Sequence, residues 1–411
     1  MNELTQHDRL RILDKVSNLV QKKHVTLNAT GVNWRDLVAA RTHEIVDATS
    51  AADFEKAMQD LLGQLKTSHT GFRHHKSPNI AARLSIHATL RPVKINDSDV
   101  WMFEDVHPGG PAHASGIEPG FVLLGSRGKE ITPPELPSFG PGEQVLLRVK
   151  KPDGADADIT VQVPIPKSKV HPVTAPTTII CRKLAAHIGY IKVTMFPGRI
   201  GIDFARDLDA AVASLSDCNR LVIDLRGNTG GGIGSLRLMS YLTPDKRPIG
   251  YSLNRKLIDI NYPKEKLRSF DRIPKHKAEI ALLFLRFAST RGAVALRTEG
   301  LGQMPFHKRV VIITNRHTAS SAEMVAAFAV ENKLATLVGT KTAGRLLGGG
   351  GFKVGNGYIL GLPTSAYFTW EGKLIEKNGI EPDVHVELDH EKLFAGHDTQ
   401  LEKAVEIIQT L

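Results

Sequence analysis

Cysteine is scarce in this chain: Cys181 and Cys218 are the two present in 411 residues. Two cysteines build no disulfide framework, so both are expected as reduced core thiols. Long apolar runs are missing as well, and nothing approaches the roughly 20 residues that span a bilayer. The opening segment, MNELTQHDRLRILDKV, is polar and amphipathic and lacks the apolar core of a secretory signal. No membrane is therefore expected as a partner, and the cytoplasm is the default location unless a leader has been removed. No zinc spacing is present, nor an aromatic RNA-binding signature, nor a basic helix with base-reading spacing. The net charge of +10 thus needs another account. Much of it is local, because residues 251–308 hold 12 Lys and Arg against 5 Asp and Glu. A solvated face, or attraction for acidic substrates, explains this better than nucleic acid.

What is present is a folded α/β chain. Charged residues at 23% and apolar residues at 41% are ordinary for globular proteins and argue against disorder. The length exceeds one ordinary core, so two or three domains are expected. The chain is organised around residues 310–351. Val310 to Thr314 are all β-branched and read as a buried strand. A turn follows over 315–318, and Ala319, Ser320, Ser321 and Ala322 lead into a helical pattern with Met324, Val325, Phe328 and Ala329 on one face. A second apolar strand, 334–338, and a glycine run come after it. A serine at such a helix start lies among backbone N–H groups without intrahelical partners, where an anionic tetrahedral intermediate can be held. The plain alternative is a serine that only caps the helix.

Upstream, residues 3–66 read as helices, with Leu10, Leu13, Val16 and Val20, and later Phe54, Ala57, Leu61, Leu62 and Leu65, at helical spacing. The last helix runs into Lys66-Thr67-Ser68-His69-Thr70-Gly71. Alternating strands then surround Pro108-Gly109-Gly110-Pro111-Ala112 and Ser115-Gly116-Ile117-Glu118-Pro119-Gly120. That order resembles a PDZ domain of the circularly permuted bacterial type, which implies addition of an extended peptide to a sheet edge. The residues around 83–88 match its carboxylate-holding loop poorly, and a structural or gating domain is the alternative. Further on come a strand over 187–194, a helix over 202–215 and a strand over 220–225. The last breaks into Arg226-Gly227-Asn228-Thr229-Gly230-Gly231-Gly232. No register satisfies a dinucleotide fingerprint, and Gly344-Arg345-Leu346 is no phosphate loop. The boundaries expected are 1–82 for a helical segment, 83–168 for the PDZ-like β domain and 169–411 for the core.

Three stretches in order carry a family resemblance: LVIDLRGNTGGG at 221–232, NRHTASSAEMVAAFAVENKLATLVGTKTAG at 315–344 and EKNGIEPDVHVEL at 376–388. Behind a PDZ-like segment they resemble the serine peptidases of the C-terminal processing peptidase and tricorn protease family. The resemblance implies an α/β core of the ClpP/crotonase kind with an inserted PDZ domain. The substrates it implies are peptides or unfolded proteins. No cofactor and no metal are implied, and a homo-oligomer is compatible with it. The family nucleophile, the middle serine of its motif, falls on Ser320, with Ser321 as its neighbour and competitor. Ser321 N–H would be one oxyanion donor and Gly230 or Gly231 the other. The processing-peptidase branch uses a lysine base; here Arg345 stands in that segment, and arginine stays protonated at any working pH. The tricorn branch uses a serine–histidine pair at the end of an N-terminal helix and a late glutamate, matched by Ser68, His69 and Glu376.

The mechanism this implies has His69 take the Ser320 proton and return it to the leaving amine, with Ser68 and Glu376 orienting the ring. Competing residues stand in the sequence. His317 lies near Ser320 with its direction unconstrained, and His74 and His75 are expected at the surface. Glu381 and Asp383 lie near Glu376. Glu323 is expected to stabilise its helix start, and Asp224 to pair with Arg226 or cap the glycine loop. Two other functions share the fold: a non-catalytic binder, like the retinoid-binding repeats of the photoreceptor matrix, and acyl-CoA chemistry of the crotonase kind.

Overall fold

The computed structural model describes residues 4–75, 80–165, 176–198, 200–287, 290, 292–306 and 309–411. The expected domain boundary at 168/169 and the basic segment's last residue, Lys308, lie outside these. At the centre, strand Arg220–Asp224 pairs in parallel with Ile188–Val193 on one side and Val310–Thr314 on the other. Thr336–Gly339 and Val384–His385 extend the parallel sheet, and Ile179–Ala185 closes its other edge antiparallel. Both faces are covered, which is why the central strands read as unbroken apolar runs. Val310 and Ile312 face helices Ile202–Ser214 and Ser321–Glu331, whereas Val311 and Ile313 face the helix Thr399–Thr410. The strands Arg220–Asp224 and Val310–Thr314 end side by side, so the glycine loop and the Ser320 turn emerge together at their carboxyl ends.

A second sheet runs in the order Gly71–His74, Tyr358–Thr369, Pro248–Asn254, Val294–Arg297, Ser269–Phe270, with Leu347–Gly355 also paired to Tyr358–Thr369. Its strands draw on both the basic segment and the glycine run. The helices Gln6–Lys23, Trp34–Val46 and Ala51–Gly63 cover it. The first is started by a capping box in which Thr5 Oγ1 accepts from Asp8 N at 3.1 Å and Asp8 Oδ2 accepts from Thr5 N at 3.2 Å. Its Ile12, Leu13, Val16 and Val20 share one core with Phe54, Leu61, Phe72, Tyr358 and Leu360. The N-terminal helices are thereby anchored to a strand almost 300 residues away in sequence, and that anchoring places the turn after Leu65. His74 departs from its expected exposure. The strand alternates, so Phe72 and His74 point inward while Arg73 points out, and His74 packs edge-on to Tyr358 at 5.0 Å. His75 is exposed, as expected.

The third body is an antiparallel sheet in the order Ala88–Ile95, Ser98–Val106, Val122–Ser126, Gln144–Lys150, Asp156–Gln162. Leu90, Phe103, Leu123, Leu147 and Val161 form its own core. It leans on the central sheet through buried polar contacts, among them Lys192 Nζ to Asp105 Oδ1 at 3.4 Å. Cys181 is half-buried and Cys218 buried, and both are free thiols.

Candidate active site

The turn before helix Ser321–Glu331 is built from its own polar side chains. Asn315 N donates to Thr318 Oγ1 at 3.0 Å, and Thr318 Oγ1 donates to the Leu225 carbonyl at 2.9 Å. The chain then reaches Ser320 with φ 56° and ψ −123°. A serine rarely occupies that region, and the surroundings hold it there. Ala319 N donates to the Asn228 carbonyl at 2.9 Å. Ser320 N donates to Glu323 Oε2 at 3.0 Å. Glu323 is 0% exposed and also accepts from Thr342 Oγ1 at 2.7 Å, Gly344 N at 2.7 Å and Arg345 N at 2.9 Å. Burial pushes its carboxyl above the usual range, and these donors oppose the shift. Its role is thus larger than a helix-dipole partner: it ties the serine turn to loop 342–346.

The same loop reaches the other half of the site. Leu346 N donates to Glu376 Oε2 at 3.0 Å. Glu376, 5% exposed, also accepts from Ser68 N at 2.7 Å and Ser68 Oγ at 2.8 Å, a contact across 308 positions. Ser68 Oγ lies 2.9 Å from His69 Nδ1. A hydroxyl has one hydrogen, and the carboxylate can only accept, so Ser68 gives its hydrogen to Glu376. Nδ1 of a neutral His69 must then carry the ring proton and donate to Ser68. Nε2 is left with a free lone pair, the state a general base requires. His69 itself adopts φ 59°. Surrounding protein atoms strip water from the ring and lower its pKa below the ordinary value, opposed by Glu376 and reinforced by Arg345 and Arg83.

The glycine loop faces the serine turn. A Cβ on Gly230 would stand 2.5 Å from Ser320 Cβ and 2.8 Å from the Ala319 carbonyl oxygen, at φ 90°. One on Gly231, at φ 137°, would collide with the Phe196 carbonyl oxygen. Only glycine fits either position. Gly230 N donates to Asn228 Oδ1 at 2.8 Å, and Asn228 Nδ2 to the Val193 carbonyl at 2.9 Å. Among the described residues, the N–H groups of Gly231 and Ser321 have no acceptor. Two unpaired backbone donors, one on the residue after a strained serine and one on the residue after Gly230, are the kind of group that can bind a developing oxyanion.

Residues 187–386 match the family model for peptidase family S41. These residues are similar to that family. S41 enzymes are serine peptidases. The carboxyl-terminal-processing protease of Picosynechococcus sp. is 25% identical over 284 residues, covering 67% of this chain and 58% of that protein. Tricorn protease homolog 1 of Streptomyces coelicolor is 21% identical over 420 residues, covering 96% of this chain and 34% of that one. The chain thus spans about a third to three-fifths of these relatives. Among solved structures, the photosystem II D1 C-terminal processing protease superposes with a TM-score of 0.57 at 17% identity, covering 93% and 95% of the two chains. Mature CPAF complexed with lactacystin gives 0.61 at 15% identity, covering 98% of both. At such identities they show the fold alone.

The residues singled out from the sequence fall into two groups in the structure. Ser68, His69 and Glu376 form one hydrogen-bonded run, and Gly230 meets Ser320 and Ser321 where two loops face each other, with Gly231 next in the chain and packed on Phe196. The competitors are engaged elsewhere. His317 Nε2 lies 3.0 Å from Glu104 of the β module, Glu381 pairs with Lys341 at 2.7 Å, and Asp383 accepts from Leu337 N at 2.8 Å. Asp224 pairs with Arg226 at 2.8 Å, as read. Sequence reasoning missed the four-fold coordination of Glu323, the two amide clamps of Asn228 and Asn315, and the Leu346 N–H on Glu376. Only the asparagines left a signal, Asn315 directly after a β-branched strand and Asn228 within the glycine-rich loop.

Proposed function

We propose that this chain is a serine peptidase cleaving peptides or unfolded proteins, with Ser320 as nucleophile and His69 as general base. Ser320 Oγ bonds to the scissile carbonyl carbon as its proton passes to His69 Nε2. The carbonyl π electrons move onto oxygen, which the N–H groups of Ser321 and Gly231 receive. Each such donor is worth roughly 3–4 kcal/mol in comparable sites. Gly230, whose N–H is engaged by Asn228, serves by leaving room for Ser320. His69 then protonates the leaving amine, and water repeats the cycle on the acyl-enzyme. Ser68 and Glu376 hold the ring in the tautomer that leaves Nε2 free. The observation that carries the reading is the Glu376–Ser68–His69 hydrogen-bonded run. We further read the β module as PDZ-like and the layered core as of the ClpP/crotonase kind.

Degradation of casein by wild type, Ser320→Ala and His69→Ala tests this, with mass mapping of the products. Cleavage is expected with wild type and absent from both variants. A wild type that neither cleaves nor reacts with a fluorophosphonate would leave the non-catalytic binder as the reading.

A further inference from the structure

We infer that Asp105, a residue of the β module, is a positioning residue for the oxyanion site and acts through Asn315. The inference rests on the peptidase reading above. Asp105 is 4% exposed, on strand Ser98–Val106. Its Oδ2 accepts from Thr89 Oγ1 at 3.1 Å and from Asn315 Nδ2 at 3.1 Å, across 210 positions. Its Oδ1 lies 3.4 Å from Lys192 Nζ. Lys192 in turn stands 3.6 Å from Asp224, which Arg226 neutralises. His107 approaches from the module's side, against Gly227.

The consequence falls on Asn315. A carboxylate only accepts, so the amide must turn its NH2 to Asp105 and its oxygen the other way. That oxygen accepts two backbone donors, Gly227 N at 3.2 Å and His317 N at 3.0 Å. Gly227 opens the loop that ends at Gly231; His317 lies on the turn that ends at Ser320 and Ser321. One amide therefore clamps the bases of both loops that carry the oxyanion donors, and a side chain from another sheet fixes which way it faces. Buried polar groups of this kind specify geometry as long as every partner is satisfied. A displacement of about 1 Å at the donors is enough to cost on the order of 10²-fold in rate.

Exchanging the polarity of the pair tests the idea. Asp105→Asn leaves one oxygen for three donors, and kcat on a fluorogenic casein is expected to fall roughly 10- to 100-fold with KM within about twofold. The fluorophosphonate labelling rate should fall in parallel. Asn315→Asp alone sets two carboxylates against each other and should be at least as damaging. The double variant D105N/N315D returns a donor facing a carboxylate, with the second carboxylate oxygen still free for Gly227 and His317 N–H. Recovery of kcat to within about fivefold of wild type supports the inference, including where a single variant fails to fold. A folded D105N with wild-type kcat overturns it, as does a double variant no more active than D105N. A wild type that neither cleaves nor labels overturns the peptidase reading and this inference together.

Discussion

At His69 three charged groups compete for one ring, and their signs fix how activity should depend on pH. Loss of solvent holds the imidazole pKa below 6.5, Glu376 favours the charged form, and Arg345 and Arg83 disfavour it. A general base works unprotonated, so kcat/KM should rise with pH along a limb whose midpoint lies below 6.5 and then level off. Removing the carboxylate with Glu376→Gln should move that limb to still lower pH, besides lowering its plateau. Removing the cation with Arg345→Ala should move it upward. Measured pH profiles of kcat/KM check both directions, and an unmoved limb in both variants would assign the titration to another group.

The elements explain why the sequence displayed some of this and hid the rest. Strand Val310–Thr314 was legible because burial on both faces leaves no exposed position in it, and the serine turn was legible because small residues precede a helix. The glycine pair could be read as a loop, yet nothing in its spacing says that Gly230 N would be occupied by Asn228. That depends on where two loops from neighbouring strands come to rest. The run from Ser68 to Glu376 was reached through family likeness, because contacts 308 positions apart leave no local pattern. His74 was misjudged since its strand is too short, at four residues, for alternation to stand out. The close approach of loop and turn gives a direct test. Gly230→Ala puts a methyl 2.5 Å from Ser320 Cβ at an unfavourable φ. We expect a stability loss of about 1–3 kcal/mol by denaturant titration, and a fall in kcat larger than that loss explains.

The whole molecule should be acid-sensitive. Burial holds His24 and His107 neutral, each with a pKa of about 4 against an ordinary 6.5. Their folded pKa values are depressed, so the unfolded chain binds protons first as pH falls. Stability is therefore full above 6.5 and lost progressively between 6.5 and 4, by roughly 3 kcal/mol for each histidine at the limit. Urea midpoints at pH 7, 6 and 5 should decline along this curve, and His24→Gln should flatten its share. His24 Nε2 lies 3.0 Å from Thr67 Oγ1, next to Ser68, so acid weakening should begin beside the base.

Strand Gly71–His74 pairs with Tyr358–Thr369, and Glu376 follows shortly after. A ribosome delivers a chain from its N-terminus, so His69 emerges long before Glu376, the carboxylate it reaches through Ser68, exists. Until residue 376 has cleared the exit tunnel, neither the ring's tautomer nor the Leu346 clamp can be set. Such a nascent chain lacks the Glu376–Ser68–His69 run. On the peptidase reading proposed above, late pairing of that one sheet keeps the site unassembled until residue 376 has been made.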